Sequence, residues 1–448
     1  MRKLYSVLGF LILSLYSIPM MAADVSMRTD KPIGSPMVIA VNAGLNLTIT
    51  WSDGSEERLH TTGLPQEVLV RAESLSLTSD KAITSLYVCE DELTQLDVSG
   101  AASSLLRLYC AQNKLTTLDL SNCKALTSLD CQDNQLTTLS ITSLVMEDVN
   151  VAGNQLTAVG LRSNGVGNMS SLICAGNNIT TVAYLSSMPQ LRSLFFQNNR
   201  VQSVSISKCK ELRKLVGENN QLVTLYMPSL ALLQDLWVSN NVLDSLILTG
   251  SPGLVSLTAG NNRLSKITWD KACSATLSYL DVADNCLFFN SFPTIYNQTK
   301  KTYTMPAVVT PQRPFFISED VEINKPNPEW QTYFMRNGWG SGVAAALELT
   351  NKDGETLTQG KDYTYQSYRL NFFTPQQGVV ISATSRYYPD VVLTTQPFNV
   401  FDPTGIERVD ALTDEAEGVA YNLSGVRVDF KHLQKGIYVI NGKKVVVR

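Results

Sequence analysis

Histidine is almost absent from this 448-residue chain: His60 and His432 are the only two, and they fall in segments of different composition. A Ser-His or Cys-His nucleophilic pair, or a metal site built on several imidazoles, lacks its raw material. An excess of positive charge is also missing, with 36 basic side chains against 40 acidic and a formal net charge of −4. A nucleic-acid partner needs a basic field and is disfavoured on that ground. Beyond the N-terminus no segment reaches the ~18 consecutive apolar residues of a spanning helix. The nearest carboxylate pairs, Asp130 with Asp148 and Asp281 with Asp284, bring no base, nucleophile or metal-ligand spacing. The expectation is a protein that is not an enzyme and needs no cofactor or metal. At ~150 residues per domain its length predicts about three domains.

Arg2 and Lys3 precede an apolar run from Leu4 to Leu15, and small residues at Ala22 and Ala23 come before Asp24. This layout predicts a signal peptide over residues 1–23, cleaved near Ala23, and hence an exported protein.

The middle of the chain is an internal repeat with a period of 20 to 23 residues, L-x-[LVCA]-x-x-N-x-[LIV]-x-x-[LIV]-x-[LIVM]. Its first apolar residue falls at Leu86, Leu108, Leu129, Val149, Leu172, Leu194, Leu215, Leu236, Leu257 and Leu280. Five positions after each come Asp91, Asn113, Asn134, Asn154, Asn177, Asn199, Asn220, Asn241, Asn262 and Asn285. A coil that turns sharply after a short strand leaves backbone amides and carbonyls facing inward. An inward asparagine offers an acceptor and two donors, so a stack of them can satisfy successive turns. Apolar columns beside it stack coil on coil into a core that no single coil could build.

The pattern is the leucine-rich repeat. Residues 126–139, with Leu126, Leu129, Cys131, Asn134, Leu136 and Leu139, resemble the internalin-like repeats of bacterial surface proteins. The expected fold is predominantly β: a solenoid of about ten coils over residues 81–292, with extended or 3₁₀ segments and little α-helix on the convex side.

Cys110, Cys131 and Cys174 occupy the inward position two after the strand leucine, where cysteine acts as a small hydrophobe. Cys123 and Cys209 share a return-side position, and Cys286 lies in the last turn. Repeat position favours free buried thiols; eight cysteines in an exported chain leave a disulfide framework as the competing reading.

Residues 24–80 read as a small β module capping the first coil. Asn46 to Trp51 alternate into Asp53-Gly54, a hairpin signal, and a second strand pair is expected between Glu67 and Leu77. Trp51-Ser52-Asp53-Gly54 resembles the W-x-D-G turn of polycystic-kidney-disease-like modules, with Asp53 as a turn residue. Residues 293–402 hold 17 of the 36 aromatics and nine of the 17 prolines, and their alternating runs predict an immunoglobulin-like sandwich. Those aromatics read either as core or as a sugar-stacking platform. An acidic linker at 403–418 leads to a small β tail at 419–448. Its Y-x-L-x-G from Tyr421, K-G-I-Y from Lys435 and G-x-K-V from Gly442 are similar to the sorting domain of the Bacteroidetes type IX secretion system. That resemblance implies export to the outer surface of a Gram-negative bacterium.

On each repeat strand the residue after the inward leucine points out of the concave face. That column reads Tyr87, Tyr109, Asp130, Asn150, Ile173, Phe195, Val216, Trp237, Thr258, Asp281. Outward positions are polar by default, yet Ile173, Phe195, Val216 and Trp237 are not, and at ~4.8 Å per strand they predict a stripe roughly 15 Å long. Lys214, Asp235, Gln197 and Glu218 would form its polar rim. The candidate contact residues are Tyr109, Ile173, Phe195, Val216, Trp237, Lys214 and Asp235. The expected partner is a protein on a host or neighbouring cell, with glycan binding by the aromatic sandwich as the alternative.

Overall fold

The structure is a computed structural model. It describes residues 24–448 except 228, 271, 294–295, 298, 301, 316–320, 326–344, 367–368, 386, 403–405, 410–419, 423–426, 430–432, 434–435, 441–442 and 448. The expected signal peptide, His432 and parts of the sorting-type motifs lie outside the described residues. The chain divides into two units, 1–221 and 222–448.

In the first unit the repeat folds into seven three-residue strands: Ser85–Tyr87, Arg107–Tyr109, Ser128–Asp130, Asp148–Asn150, Ser171–Ile173, Ser193–Phe195 and Lys214–Val216. They pair in parallel with no register shift, leucine on leucine except at Val149. Each central side chain is buried, so the inward column is a continuous apolar core. The strands are short because the fourth residue after each inward leucine is left-handed. Glu90, Gln112, Asp133, Asn198 and Asn219 have φ between 53° and 61°, and Gly153 and Gly176 both have 62°. Asparagine and glycine adopt this region at little cost, which turns the chain back across the coil.

The asparagine column then closes each turn. Asn134 accepts the Leu115 N–H of the preceding coil at 3.0 Å and donates to the carbonyls of Cys110 at 3.0 Å and Cys131 at 3.1 Å. Asn154, Asn177 and Asn199 repeat this set. Side-chain size is matched along the neighbouring column. Phe196 takes the place of a small residue, and the next coil has Gly217, where an added Cβ would lie 2.3 Å from the ring.

The cap closes the first coil on two sheets. Pro36–Val41 runs antiparallel to Ser85–Tyr87, and Val25–Thr29 antiparallel to Leu93–Asp97. The hairpin Asn46–Trp51 to Glu56–His60 is present, and Asp53 is its turn residue, accepting from the Ser55 N–H and hydroxyl. The second strand pair expected between Glu67 and Leu77 does not form. Gln66–Leu69 pairs with Pro36–Val41, whereas Ser74–Ser79 pairs with Val25–Thr29 and Asn46–Trp51. Burying Leu75 and Leu77 beside Met27 and Ile49 sends these two strands to different sheets.

In the second unit, Asp235–Trp237, Ser256–Thr258 and Tyr279–Asp281 continue the same three-residue pattern. The coil pattern runs past residue 292, since Ala307–Val308 pairs in parallel with Tyr279–Asp281. Gln312 then stands where an asparagine would. It accepts the Leu287 N–H at 3.0 Å and donates to the carbonyls of Val282 at 2.9 Å and Val309 at 2.7 Å. Convex segments include one short helix, Cys273–Thr276.

Antiparallel strands follow: Ala346–Thr350, Gln376–Ser385, Tyr388–Thr394 and Phe398–Phe401, with the hairpin Tyr363–Gln366 to Arg369–Phe372. They join the last coils through aromatics. Phe292 lies 5.0 Å from Tyr388, whose hydroxyl donates to the Pro293 carbonyl, and Phe288 meets Phe315 edge-on. In the tail, Ile406–Val409 pairs with Lys443–Val447, so the acidic segment begins as a strand. Ala420, Ile440 and Val445 form the tail's own small core.

Candidate functional site

The outward column of the first unit is built by pairing register. Ile173 stands against Phe195, and Phe195 against Val216. Ile173 and Phe195 are half-buried and keep a face toward solvent. Val216 does not: it is 3% exposed, which corrects the expectation of an exposed valine there. A short β-branched side chain beside the larger Phe195 ring is covered by its neighbours. Lys214 extends over Phe195, its ammonium 6.0 Å from the ring centroid, within reach of a cation–π contact. Gln197, half-buried on the Phe195 coil, has a buried side-chain oxygen without a hydrogen-bond partner.

Tyr109 is not part of this group. It stands between Tyr87 and Asp130, and the Asp130 and Asn150 coils separate it from Ile173. Trp237 and Asp235 belong to the second unit. There Trp237 is half-buried beside Thr258, its indole N–H donating to the Ser256 hydroxyl at 3.2 Å, and Asp235 is in register with Ser256.

The third and fourth coils are acidic. Asp130 and Asp133 lie on one coil and Asp148 on the next. Partial burial pushes the Asp130 carboxyl above its ordinary value, against the Gln132 N–H that it accepts, and the Asp133 charge adds to the push. Asp148 accepts the Ser170 hydroxyl at 2.8 Å. None of the three forms an ion pair among the described residues.

Sequence reading missed the left-handed edge column. In it the Asn219 amide donates to the Asn198 side-chain carbonyl at 2.9 Å, and the Asn261 amide to that of Asn240 at 2.8 Å. Paired asparagines such as Asn198-Asn199 and Asn219-Asn220 were the available signal: the first turns the chain and the second closes the coil.

All eight cysteines are free thiols, seven of them buried. Burial pushes the Cys131 and Cys174 thiols up to about 12 and the Cys123 and Cys209 thiols up to about 11. Among the described residues no group of three or more His, Cys, Asp or Glu side chains could hold a metal ion, and no helix is long and apolar enough to cross a membrane. His60 lies exposed on a cap strand, its Nδ1 3.1 Å from Asn46 Oδ1. Among the antiparallel strands after the last coils, Tyr363, Phe372, Tyr388 and Phe398 are buried, which makes these four core residues; Trp330 and Trp339 lie outside the described residues.

No protein-family model and no curated protein matches this chain. Solved structures that it resembles include the APL1 leucine-rich repeat domain, at 25% identity over 44% of this chain and 52% of that one, with a TM-score of 0.38. This chain thus spans about half the length of that domain. The functional domain of InlJ from Listeria monocytogenes, which includes a cysteine ladder, is 15% identical over 74% of this chain and 94% of that one, with a TM-score of 0.37. An internalin, InlF, from Listeria monocytogenes is 22% identical over 52% of this chain and 69% of that one, with a TM-score of 0.40.

Proposed function

We propose that this is an exported, adhesin-like protein of a bacterial surface, and that its concave face binds a protein partner. The observation that carries the reading is the in-register pair Ile173 and Phe195. Both are half-exposed on a column where every inward need is already met by leucine and asparagine. An outward ring contributes little to the core, so its presence there fits a contact surface. Trp237 offers a second aromatic of the same kind in the second unit. The signal-peptide pattern of residues 1–23 and the sorting-type motifs of the tail support export.

A Phe195→Ala variant tests the face directly. Binding to a partner captured by the full chain should weaken by about 2–4 kcal/mol, the range of a central aromatic anchor, with little change in unfolding. Trp237→Ala should behave alike, and Thr258→Ala, on the same column, should be nearly silent. A large drop in melting temperature without loss of binding would assign these rings to packing instead.

A further inference from the structure

The face just described changes chemistry along the first unit. From Ala125 to Leu161 the chain has no Lys or Arg, yet it carries Asp130, Asp133, Glu147 and Asp148. Three of these, Asp130, Asp133 and Asp148, sit on the strands or edge turns of the third and fourth coils, without an ion pair among the described residues. The fifth and sixth coils then present Ile173 and Phe195. Beyond them, Lys214 and Glu218 share the seventh coil and offset one another in charge.

We infer that the face docks a protein segment of defined polarity: Lys or Arg side chains over Asp130, Asp133 and Asp148, and an apolar side chain against Ile173 and Phe195. This rests on the contact-face reading above and names the chemistry of the partner. One to three coil spacings separate the two halves, roughly 5–14 Å at ~4.8 Å per strand, which an extended segment spans in about two to four residues. Carboxylates held by neutral donors alone, the Gln132 N–H on Asp130 and the Ser170 hydroxyl on Asp148, gain from an arriving cation. The seventh coil brings no net negative charge, so only one end of the face attracts the basic half and the charge pattern fixes the segment's direction.

The test uses the full chain and four fluorescent dodecapeptides. One carries a Phe-Leu pair and, three residues on, three lysines; the second has three aspartates instead. The third keeps the lysines with serines for Phe-Leu, and the fourth keeps Phe-Leu alone. Near 0.01 M ionic strength, where the Debye length is about 30 Å, the first should bind at least tenfold tighter than the second. The difference should vanish in D130N/D133N/D148N, whose asparagines keep the hydrogen-bond acceptors. It should also vanish for the unaltered protein near 1 M salt, where the Debye length is about 3 Å, which needs no variant to fold. Phe195→Ala should weaken the first and fourth peptides alike. Equal affinity for the lysine and aspartate peptides, with Phe195→Ala still weakening both, overturns the charge assignment and leaves the contact face standing. Absence of binding by every peptide, or indifference to Phe195→Ala, overturns both.

Discussion

The two ends of the asparagine ladder compare usefully with its middle, because each end is the one place where another residue stands. A middle asparagine satisfies the coil before it, accepting one N–H and donating to carbonyls. Asp91, in the first coil, has no earlier coil to serve. What faces it instead are donors of the cap, the Val38 N–H at 3.1 Å and the Lys31 ammonium at 2.7 Å. A carboxylate accepts from both and has no amide left without a partner; the Val88 carbonyl takes the Asn113 amide instead. At the other end, Gln312 keeps the acceptor bond from the preceding coil and two carbonyl bonds with one more methylene. The column's residue type therefore records which neighbours exist: donors and acceptors in the middle, donors only at the start, and a longer reach at the end.

The largest expected effect comes from placing the first residue's chemistry in the middle. Asn134→Asp takes one of two side-chain donors from each of the Cys110 and Cys131 carbonyls, leaving Asn113 and Asn154 on them, and buries a charge, and should cost at least ~3 kcal/mol in urea unfolding of the full chain. An effect near zero would mean that the ladder is not what closes the coils. The reverse exchange, Asp91→Asn, keeps an acceptor for Val38 but leaves the partly buried Lys31 ammonium without its carboxylate. Its cost should be about 2 kcal/mol, and Lys31→Met in the same chain should recover part of it. Gln312→Asn shortens the reach and should cost about 1 kcal/mol, the value of one hydrogen bond, with hydrogen exchange rising first at the Leu287 amide.

The smallest effect is expected at the cysteines. Val151 fills the column of Cys131 on the next coil, so Cys131→Val should change stability at neutral pH by less than ~1 kcal/mol. The pH dependence separates them. The folded Cys131 and Cys174 thiols, pushed up to about 12, lie above the ~8.5 of an unfolded thiol. The stability tied to keeping them protonated is therefore complete below ~8.5 and is lost as pH rises toward 12. Urea midpoints measured from pH 7 to pH 10 should fall less steeply in Cys131→Val than in the unaltered chain.

Much of the coil was legible in the repeat. The inward leucines, the asparagine ladder, the buried cysteines and the Asp53 turn all follow from spacing and side-chain chemistry that act within a coil or between adjacent ones. What was not legible depended on neighbours that spacing does not name. Ser74–Ser79 reads as a partner for Gln66–Leu69, yet it joins the sheet where Leu75 and Leu77 find cover. Gln312 escaped a pattern written for asparagine, because the long segment before it breaks the period. In the candidate site, the outward column was readable residue by residue, but its gradient from acidic to apolar emerged only once edge turns and strands were placed on one face.

Taken alone, the sequence determined which residues point inward and which outward on each coil, because a fixed period with a left-handed turn leaves one choice of face. Tertiary structure decided how much of each outward side chain meets solvent. Val216 and Ile173 are both apolar, branched and in one column, yet one is covered and the other half-exposed, since exposure depends on the bulk of the adjoining side chains rather than on the residue itself. It also decided that Asp91 faces an ammonium and a strand amide, a pairing across some 60 and 53 positions that only the docking of the cap onto the first coil brings about.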